Sequence, residues 1–129
     1  MVNRKFLVIL LIGVFTIPVT AQSLESTIKQ MSEAIRTANY SGLSDLFSST
    51  VDLTIKDTDG IFSKTQAKGV LKSFFENDKP KSFQIKHKGS SNDGTVYAIG
   101  LYVSVDKTYR VYALFKNAKI VQLQIEEEL

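Results

Sequence analysis

SKTQAKGVLKSFFENDKP, residues Ser63 to Pro80, is the stretch whose reading decides the fold. Ser63 is placed to accept a hydrogen bond from the Gln66 backbone N–H while the Gln66 side chain reaches back to Ser63. This capping box satisfies two of the donors that a helix start leaves orphaned. Ala67, Val70, Leu71, Phe74 and Phe75 then recur at helical spacing and share one face. Pro80 disfavours a helical residue before it, so the run stops between Asn77 and Pro80. A helix with a start, an apolar stripe and a stop, set between a helical N-terminal part and a run of alternating strands, predicts one α+β domain.

Working outward toward the N-terminus, Leu24, Ile28, Met31, Ile35 and Ala38 step by four and three, which predicts an amphipathic helix over Ser23 to Ala38. Glu25, Lys29, Glu33 and Arg36 form its polar face, with two favourably ordered charge pairs of about 0.2–0.5 kcal/mol each. Leu43, Leu46 and Phe47 mark a short second helix. Val51, Leu53 and Ile55 alternate with polar residues as a strand, and Asp57-Thr58-Asp59-Gly60 has the composition of a turn. The Asp-x-Asp-Gly fragment resembles part of a calcium loop but lacks the downstream bidentate Glu, so it reads as a plain turn.

From Ser82 onward the period is two. Four strands are expected over Ser82–Gly89, Thr95–Ser104, Thr108–Lys116 and Lys119–Glu127, and their short connections predict an antiparallel meander. If the loops set the pairing, Gly89 faces Thr95, Val105 faces Thr108 and Lys116 faces Lys119. One side then collects Phe83, Ile85, His87, Tyr97, Ile99, Leu101, Val103, Arg110, Tyr112, Leu114, Val121, Leu123 and Ile125, and its apolar character makes it the expected helix-covered face. The other side carries Val96, Ala98, Tyr102, Tyr109, Val111, Ala113 and Phe115 between polar edges. An outer face that apolar marks an interface, so a homodimer through the outer sheet face is expected.

The order helix, short helix, strand, turn, capped helix and four-stranded meander resembles the nuclear transport factor 2-like, or cystatin-like, cone fold over residues 22–129. AIRTANYSGLSDLFSSTVDLTI is similar to the helix, short helix and first strand of that superfamily. DGIFSKTQAKGVLKSFF, FQIKHKG, YAIGLYVS, YRVYALFK and IVQLQIEE look like a family of small exported Bacteroidetes proteins of unknown function. The resemblance implies N-terminal helices packed on a curved antiparallel sheet of four to five strands, and export. It implies no reaction.

His87, the sole histidine, is expected beside Tyr97 on the helix-covered face, either as a general base with its orienting partner or as a strand-end His bonded to Tyr or backbone. The structural reading is preferred, because no carboxylate is placed to orient the ring. Arg110 on the same face must be paired or reach water; it either receives an anionic ligand or pairs with Glu33 or Asp45. With Tyr112 and Tyr40, these residues form the candidate ligand-binding pocket. Enzymes of the superfold place an Asp base, or a Tyr with a second acid, in the cone. Asp45, Asp52 and Tyr40 are the available candidates, and none stands in a catalytic motif. Glu126-Glu127-Glu128 forms a charged end that protects the last strand from edge pairing.

The chain contains no Cys, which excludes disulfides, thiolate metal sites and a Cys nucleophile. Lysines are dispersed and form no phosphate-neutralising patch, so nucleic acid is not an expected partner. Cofactor and metal motifs are absent from the sequence. Two classes remain: a non-catalytic binding or scaffold module for a small apolar ligand or an envelope protein, which is the preferred reading, and a small-molecule isomerase, dehydratase or hydrolase using a cone-shaped pocket.

Met-Val-Asn-Arg-Lys, an apolar run from Phe6 to Val14, and Val19 and Ala21 at the −3 and −1 positions of a cut form the three parts of a secretory signal peptide over residues 1–21. Gly13 and Pro18 interrupt a stretch already short of the roughly 20 apolar residues a membrane span needs. Loss of Arg4 and Lys5 leaves 14 basic against 13 acidic side chains, a formal charge of +1 where the precursor has +3. The remaining 108 residues suffice for one domain and no membrane anchor is expected after cleavage, with a periplasmic or secreted destination. Mass spectrometry of the N-terminal peptide of the exported protein is expected to begin at Gln22; a retained Met1 would contradict the reading.

Overall fold

A computed structural model describes Gly13 and residues 19–129, with side chains from Leu24 onward. The predicted signal segment therefore lies outside the described residues, apart from Gly13 and the backbone at 19–21. The elements are α1 (Val19–Arg36), α2 (Tyr40–Ser44), β1 (Phe47–Ile55), β2 (Thr58–Ser63), α3 (Lys64–Asn77), β3 (Pro80–Ser90), β4 (Val96–Ser104), β5 (Thr108–Lys116) and β6 (Lys119–Glu127).

The capping box that opens the sequence argument is present in both directions. Gln66 N donates to Ser63 Oγ at 3.2 Å, and Ser63 N donates to Gln66 Oε1 at 3.1 Å. Ala67, Leu71, Phe74 and Phe75 are the buried face of α3. Asn39 caps α2 through its side chain, which accepts from Gly42 N at 2.9 Å.

The sheet has six strands in the order β2-β1-β6-β5-β4-β3, where four to five were expected. The additional strand is β2. Asp57-Thr58-Asp59-Gly60 is not a four-residue turn, because Ile55 already pairs with Thr58 and only Lys56 and Asp57 make the bend. Lys56 takes φ +56°, the left-handed conformation such a tight hairpin demands. The last hairpin follows the same rule, with Asn117 at φ 53° and Ala118 at φ 60° between paired Lys116 and Lys119. β3 to β6 form the predicted antiparallel meander, and β1 runs parallel to β6.

Two bulges overturn the predicted assignment of faces. In β3, Ile85 pairs with Gly100 and His87 with Ile99, which leaves Lys86 as an extra residue. In β6, Ile120 pairs with Phe115 and Gln122 with Leu114, which leaves Val121 extra. Each extra residue reverses the side to which all later residues of its strand point. Hence Phe83 and Ile85 join Tyr102 on one face, while His87 passes to the other with Tyr97 and Ile99. Leu123 and Ile125 likewise join Ala113 and Val111 rather than Leu114 and Tyr112. The helix-covered face therefore carries Phe83, Ala98, Tyr102, Tyr109, Val111, Ala113, Phe115, Leu123 and Ile125, all buried. Tyr102, Tyr109, Val111 and Phe115, expected to face outward as a dimer surface, are core residues instead.

α3 lies against β1 and β2, α1 lies against β3, and α2 joins the two helices. The aromatic centre is Phe74, whose ring lies 5.1 Å from Tyr109 edge-on and 5.3 Å from Tyr102. Phe83 crosses Gly100 so closely that a Cβ there would sit 2.5 Å from its ring, so this ring position depends on glycine. Phe74→Ala, at a residue 4% exposed, is expected to lower stability by about 3–5 kcal/mol in chemical denaturation. A loss below about 1 kcal/mol would mean that the α3 face is not the core face.

Candidate functional site

Four of the five residues predicted to line a pocket gather on the outer face of the sheet, outside the helix-covered interior. His87 is exposed, and its Nε2 lies 3.1 Å from the Tyr97 hydroxyl. The ring of Tyr97 stacks on Tyr112 at 6.1 Å between centroids and an interplanar angle of 19°. Tyr97 also covers Gly89, where a Cβ would meet its hydroxyl at 2.5 Å. Among the described residues the one hydrogen-bonding partner of the His87 ring is the Tyr97 hydroxyl, and no carboxylate pairs with it. Arg110 is exposed beside Leu101 and Glu126. The expected pairing with Glu33 or Asp45 does not occur: Glu33 pairs with Arg36, and Arg110 makes no ion pair among the described residues. Tyr40 stands apart from the other four, at the start of α2 beside a cleft of about 320 Å³ that also borders Arg36, Phe75 and Lys79.

A different cluster lies where α3 ends against the sheet. The β1–β2 bend presents Lys56, held in place by a backbone bond from Lys56 N to Ile125 O at 3.1 Å. Asp78 follows the last turn of α3 and closes it, its N–H donating to Phe74 O at 2.8 Å. Tyr102 of β4 donates its hydroxyl to the Asp78 carbonyl, which ties the helix end to the middle of the sheet. Lys56 Nζ lies 3.3 Å from Asp78 Oδ2; the Asp78 side chain is 7% exposed and that of Lys56 41%. The pair joins a buried anion to a half-solvated cation, so breaking it leaves Asp78 with the larger desolvation cost.

Tyr109 completes the cluster. Its hydroxyl is enclosed and makes no hydrogen bond by geometry, although it stands in the field of the Asp78 carboxylate. Burial, then Asp78, pushes the Tyr109 pKa well above the ordinary tyrosine value. Tyr102 moves the same way, first through burial and then through the charge of Asp78. Beside Lys56 and Asp78 runs an open groove of about 580 Å³ between the β1–β2 bend and α3, with Ile55, Val70 and Phe74 as apolar lining. Sequence reasoning missed this cluster because its two charges are 22 positions apart, on a bend and a helix end, and share no spacing. Among the described residues no three His, Cys, Asp or Glu side chains converge as a metal site. No helix among them is long and apolar enough to cross a membrane.

Helices seated on a curved six-stranded sheet define the nuclear transport factor 2-like, or cystatin-like, fold. A solved NTF-2 like protein of unknown function from Burkholderia xenovorans has a TM-score of 0.64 at 8% identity, over 85% of this chain and 86% of that one. A domain of unknown function with a cystatin-like fold from Nostoc punctiforme has a TM-score of 0.65 at 12% identity, over 88% and 80%. More narrowly, the chain belongs to the DUF4783 family, a domain of unknown function whose pattern matches residues 28–127. A solved DUF4783 protein from Bacteroides uniformis is 26% identical, with a TM-score of 0.71, over 78% of this chain and 96% of that one. No curated protein matches the chain.

The two buried tyrosines set a pH dependence. Between the ordinary tyrosine pKa near 10 and their raised folded values, the unfolded chain releases protons that the folded chain keeps, so stability is full below about pH 10 and falls above it. Tyr102→Phe is expected to cost about 0.5–1.5 kcal/mol because it removes a made hydrogen bond, whereas Tyr109→Phe is neutral or stabilising because its hydroxyl has no partner to lose. Denaturation curves of both variants check this, and a larger loss at Tyr109 would contradict it.

Proposed function

We propose that this chain is an exported, non-catalytic binding module, released by cleavage near Ala21/Gln22, whose partner surface is the outer face of the sheet. The observation that carries the reading is the composition of that face. Ile99, Leu101, Val103, Tyr112 and Leu114 lie on it as contiguous half-buried side chains that no helix covers. An uncovered apolar sheet face of this kind favours a protein partner.

The first partner proposed is a second copy of the chain. Arg110 and Glu126 occupy directly paired positions on β5 and β6, yet make no ion pair with each other. A two-fold axis near that row sets Arg110 of one copy against Glu126 of the next, and the reverse, with the apolar row packed between. Envelope proteins and small apolar ligands are the alternative occupants of this surface. Binding is favoured over turnover because Phe74, Phe75, Tyr102 and Tyr109 fill the space between helices and sheet, and among the described residues no carboxylate orients His87.

Sedimentation of the exported protein is expected to show a dimer. Arg110→Glu and Glu126→Arg should each weaken it by about tenfold or more, and the double swap should restore it. A wild-type monomer at millimolar concentration, or a double variant no better than the singles, would contradict the proposal.

A further inference from the structure

The groove beside α3 is separate from the outer sheet face and carries its own chemistry. We propose that it is a binding site for a small organic ammonium ion, which takes the place of the Lys56 side chain on Asp78. The protein itself supplies the precedent. Asp78 is a buried carboxylate on the groove wall, and the one ion pair it makes among the described residues is with an alkylammonium group at 3.3 Å. That group is tethered only through its own flexible stem, which is 41% exposed and free to withdraw into water.

The lining suits a cation with a short apolar body. Ile55, Val70 and Phe74 offer surface to an alkyl chain, while Ser73 and Asn77 carry acceptors for the remaining N–H groups. Charge points the same way: Asp57 and Asp78 are on the lining, and Lys56 is its one cation. With Lys56 withdrawn the groove holds two carboxylates, which repels anions and attracts an ammonium ion. Lys56 is thus a built-in competitor, and a free ligand must outcompete a tethered one.

Chemical rescue tests this with n-butylammonium chloride, the lysine side chain without its tether, using the protein expressed from its full coding sequence. Lys56→Ala vacates the site while keeping a residue with a Cβ at the left-handed position. In this variant n-butylammonium is expected to raise the melting temperature and to bind about tenfold or more tightly than in the wild type, since the tethered competitor is gone. The double variant Lys56→Ala with Asp78→Asn should not respond, nor should Lys56→Ala respond to n-butanol or to sodium chloride at equal concentration. No rescue in Lys56→Ala, or equal rescue in the double variant or by n-butanol, would overturn the proposal. Should Lys56→Ala fail to fold, the wild type decides: its Val70, Ser73 and Asp78 amide resonances are expected to shift saturably with n-butylammonium, and those of Asp78→Asn are not. Absence of a saturable shift in the wild type would equally overturn it.

Discussion

Single-residue bulges at Lys86 in β3 and Val121 in β6 are the constraint on which the rest of the molecule depends. A strand has two faces, and one inserted residue exchanges them from that point on. Without the first bulge, Phe83 and His87 share a face; with it, Phe83 packs under the helices and His87 faces outward. The second bulge turns Leu123 and Ile125 toward Val111 and Ala113, which closes the core across β5 and β6. Both strands are thereby bent, and the sheet curves around the aromatic centre formed by Phe74, Tyr102 and Tyr109.

From that curvature follow the two surfaces with functional content. Under the helices, the end of α3 meets the sheet where Tyr102 holds the Asp78 carbonyl and Lys56 holds its carboxylate. A helix terminus leaves carbonyls unsatisfied, so a buried tyrosine hydroxyl donating to one anchors that end to β4. On the far side, Ile99, Leu101, Tyr112 and Leu114 of the regularly paired β4 and β5 form a row beside the stacked Tyr97–Tyr112 pair. Interior and exterior are therefore two consequences of one set of register shifts.

The fold was legible in the sequence to the extent that it is local. The capping box at Ser63 and Gln66, the α3 stripe, the strand limits of β5 and β6 and the α+β order were all read from spacing, and helix N-caps and period-two alternation are local signals. The faces were not legible, because both sides of β4 and β5 are apolar and a bulge leaves no mark in composition. Lys86 and Val121 look like ordinary members of alternating strands. β2 was hidden for a related reason: Thr58-Asp59-Gly60 has turn composition, and only pairing with β1 makes it a strand. As for the site, His87 and Tyr97 are neighbours as expected, but the register is offset by two residues, with His87 opposite Ile99 and Tyr97 opposite Gly89, and both lie on the other side of the sheet. Lys56 and Asp78 were missed because their proximity is produced by the tertiary fold and by no motif.

The inverted faces of β5 are the central claim, and thiol labelling tests them directly, because the chain has no native Cys to interfere. Cys placed singly at Ala113, buried, and at Leu114, half-buried on the outer face, should differ in their reaction with a water-soluble thiol reagent under native conditions. In protein diluted to the monomer, the account predicts rapid labelling at position 114 and protection at 113 that is lost in denaturant. Rapid labelling at 113 with protection at 114 would put the opposite face of β5 under the helices and contradict the account.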